Sequence, residues 1–175
     1  MNNAQYVWID STGEGKNRYV LFRRNIILAD LPIDASFQLF ADHRYRLLVN
    51  GKTLGHGPAR FKLKSPEYDT WDLLPHLKSG KNVIAVMVCA YGDKTFITDE
   101  SIGGFIAWGK IHCRNGEEWD LATPGHWRAL RSPAHSDDVE KMTFALGFPE
   151  VLDGRRFPAA WTEPDFPDDD WSVAV

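Results

Sequence analysis

Helical periodicity is almost missing from these 175 residues, and no apolar run approaches the length of a membrane span. The chain therefore offers neither an amphipathic helical layer nor a membrane partner. Positive charge is not in excess either. Twenty basic residues stand against 24 acidic ones, with a sequence pI near 5.8, so nothing supports phosphate neutralisation and nucleic acid is not an expected partner. Cysteine is scarce: Cys89 and Cys113 cannot make a disulfide framework. Both lie in strand-like runs and read as buried thiols, a single bridge being the alternative. The opening Met1-Asn2-Asn3-Ala4-Gln5 has neither the basic nor the apolar part of a signal peptide. An excised piece would also lack one, so cytoplasm, periplasm and export all stay open.

Chemical motifs are missing as well. His43, His56, His76, His112, His126 and His135 are scattered, and no C-x-x-C or H-E-x-x-H pattern exists. Catalytic zinc is not expected, and no cofactor is assigned. No G-x-S-x-G elbow occurs, and Gly13-Glu14-Gly15-Lys16 is not followed by a helix that could receive a phosphate. Structural calcium would find oxygen ligands at Asp99-Glu100, Asp137-Asp138 or Asp168-Asp169-Asp170, although solvated acidic loops are the plainer reading.

What is present is a series of short apolar or alternating runs separated by turn residues, the pattern of an all-β antiparallel sandwich. Residues 18–28 (RYVLFRRNIIL) and 36–41 (SFQLFA) are rich in β-branched and aromatic side chains and open the series. Across 44–50, alternation puts Tyr45, Leu47 and Val49 on one face. Asn50-Gly51 then supplies the positive φ angles of a tight hairpin. Residues 83–90 (VIAVMVCA) are apolar on both faces and predict a central strand buried on both sides. Residues 104–113 and 118–130 continue the pattern around a second hairpin signal, Asn115-Gly116. One short helical turn is expected within 69–77, capped by Asp69 or Thr70 and limited by Pro75. These features predict a β-sandwich domain over 1–145. Residues 146–175 read as an irregular aromatic and acidic tail leading to a following domain, with Trp161 and Trp171 packing on the sandwich or on its continuation.

Seven tryptophans are a high count for this length. Trp71, Trp108, Trp119 and Trp127 lie in or beside predicted elements and read as core, although such rings also stack on sugars. Loop residues with polar handles are the better ligand candidates, because loops gather at the ends of a sandwich. On that ground His56, Arg60, Tyr68, Asp69, Tyr91 and Asp93 are the candidate sugar-binding residues. No catalytic residue is assigned. Asp99 and Glu100 form the most site-like carboxyl pair, but neighbours on an extended strand point to opposite faces.

Four segments together, FRRNIIL (22–28), ADHRYRLLVNGKTLGHGPARF (41–61), YDTWDLLPHLKSGKNVIAV (68–86) and EVLDGRRFPAAWTEPDFPDDDW (150–171), resemble the N-terminal region of bacterial α-L-rhamnosidases. The resemblance implies a galactose-binding-like jelly roll in a multidomain glycoside hydrolase. In such enzymes hydrolysis belongs to carboxylates of a separate α-helical barrel, so none of those residues is carried onto this chain. The expectation is a non-catalytic, carbohydrate-associated accessory domain whose partners are sugar and the downstream domains of its own polypeptide. A purely structural interdomain scaffold is the alternative, and a small stand-alone glycosidase using Asp99 and Glu100 the remote one.

Overall fold

A computed structural model describes residues 3–62 and 64–175; Met1 and Asn2 of the opening pentapeptide lie outside them. Among the described residues the strands are β1 (Arg18–Leu28), β2 (Pro32–Asp42), β3 (Arg44–Val49), β4 (Lys52–Gly57), β5 (Asp69–Asp72), β6 (Gly80–Ala90), β7 (Gly104–Cys113), β8 (Glu118–Asp120), β9 (Arg128–Arg131) and β10 (Ser172–Val173). They form two antiparallel sheets, ordered β10-β9-β1-β6-β3-β4 and β5-β2-β7-β8. No helix among the described residues is long and apolar enough to cross a membrane. The fold is the all-β sandwich expected from the alternating runs.

Alternation builds the core. Tyr45, Leu47 and Val49 of β3 all point inward and are buried, as the period-two pattern requires. Asn50 and Gly51 adopt φ of 49° and 78° and close the β3–β4 hairpin between the paired Val49 and Lys52. Between the sheets, Trp127 packs against Phe37 and Phe105 at centroid distances of 6.2 and 5.1 Å, and Phe105 meets Phe22 at 4.8 Å. Burial of these large rings dominates the hydrophobic stabilisation of the sandwich. Cys89 and Cys113 are buried free thiols.

β6 is buried on both faces because the six-stranded sheet is covered on its outer side too. Ile84, Val86 and Val88 enter the main core, while Ala85 and Met87 join Leu21, Trp161 and Trp171 in a second cluster. That outer cover is residues 157–171, and the chain then adds β10 beside β9. A buried ion pair fixes the cover: Arg23 Nε donates to Asp168 Oδ2 at 2.9 Å, and the guanidinium also reaches the Trp161 carbonyl. Trp161 and Trp171 thus pack on the chain's own sheet.

Three local expectations need correction. Residues 69–72 are not helical but form edge strand β5, with Trp71 opposite Phe37 of β2, because β2 offers an unpaired edge. Only Leu74–His76 makes a 3-10 turn, and Asp72 Oδ1, not Asp69 or Thr70, accepts the Leu74 N–H at 3.0 Å. Residues 118–130, expected to continue the strand pattern, are strand only at their two ends: β8 belongs to the four-stranded sheet and β9 to the other. Trp127 is core, and Trp71 and Trp119 pack partly buried against it. Trp108, however, faces outward from β7 and meets Tyr68.

Candidate functional site

The chain passes from one sheet to the other at a single residue, His43, between the end of β2 and the start of β3. So short a crossover holds Asp42, His43 and Arg44 tightly at one end of the sandwich. The imidazole is fixed from behind: Tyr91 N–H donates to His43 Nδ1 at 2.8 Å. With Nδ1 accepting, the neutral ring carries its proton on Nε2, which donates to the Asp99 carbonyl at 3.2 Å. The 3.6 Å from Nε2 to Asp42 Oδ1 is too long for a hydrogen bond.

Asp42 is the unusual member of this group. Its side chain is 9% exposed, and Oδ1 has no hydrogen-bond partner among the described residues. Burial pushes its pKa above the ordinary carboxylate value, opposed by His43 beside it and by a hydrogen bond from Ser101. With His43, Arg44, Pro58, Arg60 and Asp99 it lines a recessed pocket of about 120 Å³. A wider groove of about 800 Å³ adjoins this pocket and shares Arg60, Phe61, Ile97, Thr98 and Asp99 with it. Arg60 donates through Nη2 to the Phe96 carbonyl at 3.1 Å and lies over the Phe96 ring, 5.5 Å from its centroid. A carboxylate, an imidazole and two guanidiniums around so small a space can donate to and accept from a ligand carrying several hydroxyl groups.

The structure does not gather the six sequence-derived candidates into one site. Arg60 lines the pocket. Tyr91 is buried behind it, 5.3 Å from the His43 ring, with the Arg44 guanidinium over its face. Asp93 is held by Lys16 at 3.1 Å and Lys141 at 3.0 Å, and these contacts take its pKa down to about 2. His56 lies on β4 in a neighbouring depression with Arg46 and Glu150, which shares Arg44 and Pro58 with the pocket. Asp69 accepts from the Tyr45 hydroxyl, which in turn accepts Trp71 Nε1–H at 3.0 Å, so its contacts are internal. Tyr68 belongs to the outer face of the four-stranded sheet.

Loop position alone missed Asp42, His43 and Arg44, which sit at strand ends. The available signal was three consecutive polar residues between two apolar strands. The acidic runs do not converge either. Asp168 is committed to Arg23 and Asn25, and Asp137 to Arg131. Among the described residues no three His, Cys, Asp or Glu side chains form a metal-holding group.

The model of the α-L-rhamnosidase N-terminal domain matches residues 41–175. This chain belongs to that family. The GH78 family rhamnosidase of Bacillus sp. GL1 is 32% identical over 99% of this chain and 18% of its own, with a TM-score of 0.83. The α-L-rhamnosidase of Aspergillus terreus is 18% identical over 99% of this chain and 21% of its own, with a TM-score of 0.74. A lectin from Pleurotus ostreatus, 19% identical over 98% of this chain and 40% of its own, has a TM-score of 0.66 and shows a shared fold. Comparison with curated proteins gave no match. The chain thus spans about a fifth of the length of the rhamnosidases it resembles. The residues matched to the rhamnosidase N-terminal domain include Asp42, His43, Arg44, Arg60 and Asp99, so the pocket lies wholly within the family region.

Proposed function

We propose that this rhamnosidase N-terminal domain is a non-catalytic, carbohydrate-associated accessory module of a larger glycoside hydrolase, and that sugar enters at the pocket around Asp42. The observation that carries this reading is the buried, unpaired Asp42 Oδ1 beside a recess lined by Arg44 and Arg60. A buried acceptor without a donor costs about 1–3 kcal/mol, and a sugar hydroxyl would supply the missing hydrogen bond. A lectin of this fold has been solved in complex with GalNAc, which supports sugar binding as a use of the scaffold. Hydrolysis falls to the domains of the enzyme outside this module.

The test is an amide NMR titration of the 175-residue chain with L-rhamnose and other monosaccharides. Saturable shifts around Asp42, Arg60 and Asp99, abolished in Asp42→Ala, are expected. Flat spectra at about 10 mM sugar, an affinity weaker than about 3 kcal/mol, would overturn the sugar reading.

A second reading, a scaffold for neighbouring domains, is favoured by one observation: Phe96, Phe144 and Leu146 stand 64%, 53% and 64% exposed at the same end. Flat sugar titrations combined with capture of the catalytic remainder of the enzyme, lost in Phe96→Ser, would support it.

A further inference from the structure

The two outer faces of the sandwich are treated differently. One is roofed by residues 157–171, whereas the outer face of the four-stranded sheet is covered at one end, where Tyr6 and Phe61 pack on Phe40, and lies open around Trp108. We infer that this open area is a second glycan-binding surface, specific for an uncharged oligosaccharide and independent of the pocket around Asp42.

Its floor is a depression of about 500 Å³, within the roughly 300–1,000 Å³ of small-ligand sites. Along one side Tyr68, 57% exposed, meets the half-buried Trp108 edge to face, with centroids 4.9 Å apart and planes at 67°. In an edge-to-face pair at least one ring keeps its own faces clear of the other, and such a face can stack on the C–H side of a pyranose. The register places Gln38 directly opposite both Trp108 and Thr70, so an amide and a hydroxyl flank the aromatic ledge. Asp34 and Asp120 lie further along the depression.

Charge selects the kind of ligand. Lys110 is paired with Glu118, and His112 Nδ1 lies 3.3 Å from the same carboxylate. The depression therefore offers no uncommitted cation among the described residues, while Asp34 and Asp120 offer acceptors. Phosphates and acidic glycans would be repelled, whereas hydroxyl donors would be accepted. Oxygen acceptors beside an aromatic ledge, with no free cation, match a neutral polyol.

The test follows the indole N–H resonance of Trp108, assigned through Trp108→Phe, as a rhamnosyl-glucose disaccharide or maltotriose is added to the 175-residue chain. A saturable shift is expected. Asp42→Ala and Arg60→Ala should retain it, and Tyr68→Ala and Asp34→Ala, both at exposed positions, should weaken binding at least about ten-fold. No Trp108 shift at about 10 mM of either sugar would overturn the inference. So would an unchanged affinity in Tyr68→Ala, or a shift that follows protein concentration without sugar and reveals self-association. Loss of binding at the Asp42 pocket with a surviving Trp108 response would refute the first site and leave this one standing.

Discussion

Replacing Asp168 with alanine tests whether the outer cover is part of the folded domain. Arg23 has no exposed side-chain surface, and its charge is balanced by Asp168 at 2.9 Å within a cage that includes Phe166 and Trp171, 5.1 and 5.9 Å from the guanidinium carbon. Asp168 also accepts from Asn25 Nδ2 at 3.1 and 2.9 Å. Asp168→Ala leaves a buried guanidinium unbalanced, which costs about 3–5 kcal/mol, a large share of the roughly 5–15 kcal/mol that holds a domain folded. For a chain of this size the melting temperature should fall by about 6–20 °C. Urea unfolding, followed in parallel by tryptophan fluorescence and far-UV circular dichroism, measures the loss and shows whether the cover peels away first. The double variant Arg23→Met/Asp168→Leu removes both charges but leaves the Asn25 amide and the Trp161, Glu163 and Phe166 carbonyls short of partners, a cost of about 1–3 kcal/mol each at most. It should therefore stay well below the wild-type stability. A loss under about 1 kcal/mol for Asp168→Ala would refute the assignment of Arg23 and Asp168 as the clamp.

Gly109 has φ of 148°, and a methyl group there would overlap the Ser36 carbonyl of the neighbouring strand; Gly109→Ala should cost about 2–3 kcal/mol in urea unfolding. Burial pushes the Cys89 thiol up to about 11 and raises Cys113 as well, so native protein at pH 8 should react with no more than traces of a thiol reagent, and denatured protein with two equivalents. Asp93, held down to about 2 by Lys141 and Lys16, contributes stability that is complete above the unfolded carboxylate pKa near 4 and is lost as pH falls through 2. Because the site faces solvent, that contribution is under about 1 kcal/mol; a carboxyl NMR titration should show the Asp93 midpoint rising in Lys141→Ala.

Much of the sandwich was legible because strand periodicity is local. Tyr45, Leu47 and Val49 alternate, Asn50-Gly51 can only turn, and the two-sided apolar run at 83–90 demanded cover on both faces. Whether Trp161 and Trp171 supplied that cover or packed on a continuation could not be read, because they reach β1 and β6 across more than seventy residues of intervening chain. The short helical turn expected within 69–77 forms only at Leu74–His76, for a related reason. Asp69 and Thr70 are plausible caps in isolation, and only the free edge of β2 makes residues 69–72 a strand.

The candidate site was less legible than the fold, and the physical cause is specific. Choosing loop residues with polar handles selects side chains such as Asp93, which the folded chain uses to join its own lysines, and Asp69, which holds a tyrosine. A ligand site needs the opposite condition, polar groups that the protein positions but does not satisfy. Asp42 meets that condition at Oδ1, which is buried with no hydrogen-bond partner among the described residues. Arg60, the one sequence-derived candidate that lines the pocket, has one guanidinium nitrogen committed to the Phe96 carbonyl. Its remaining donors are available to whatever enters beside Asp42. A buried acceptor without a partner that also borders an open recess is therefore what separates this pocket from the polar loops around it, and it arises only when the two sheets are brought together.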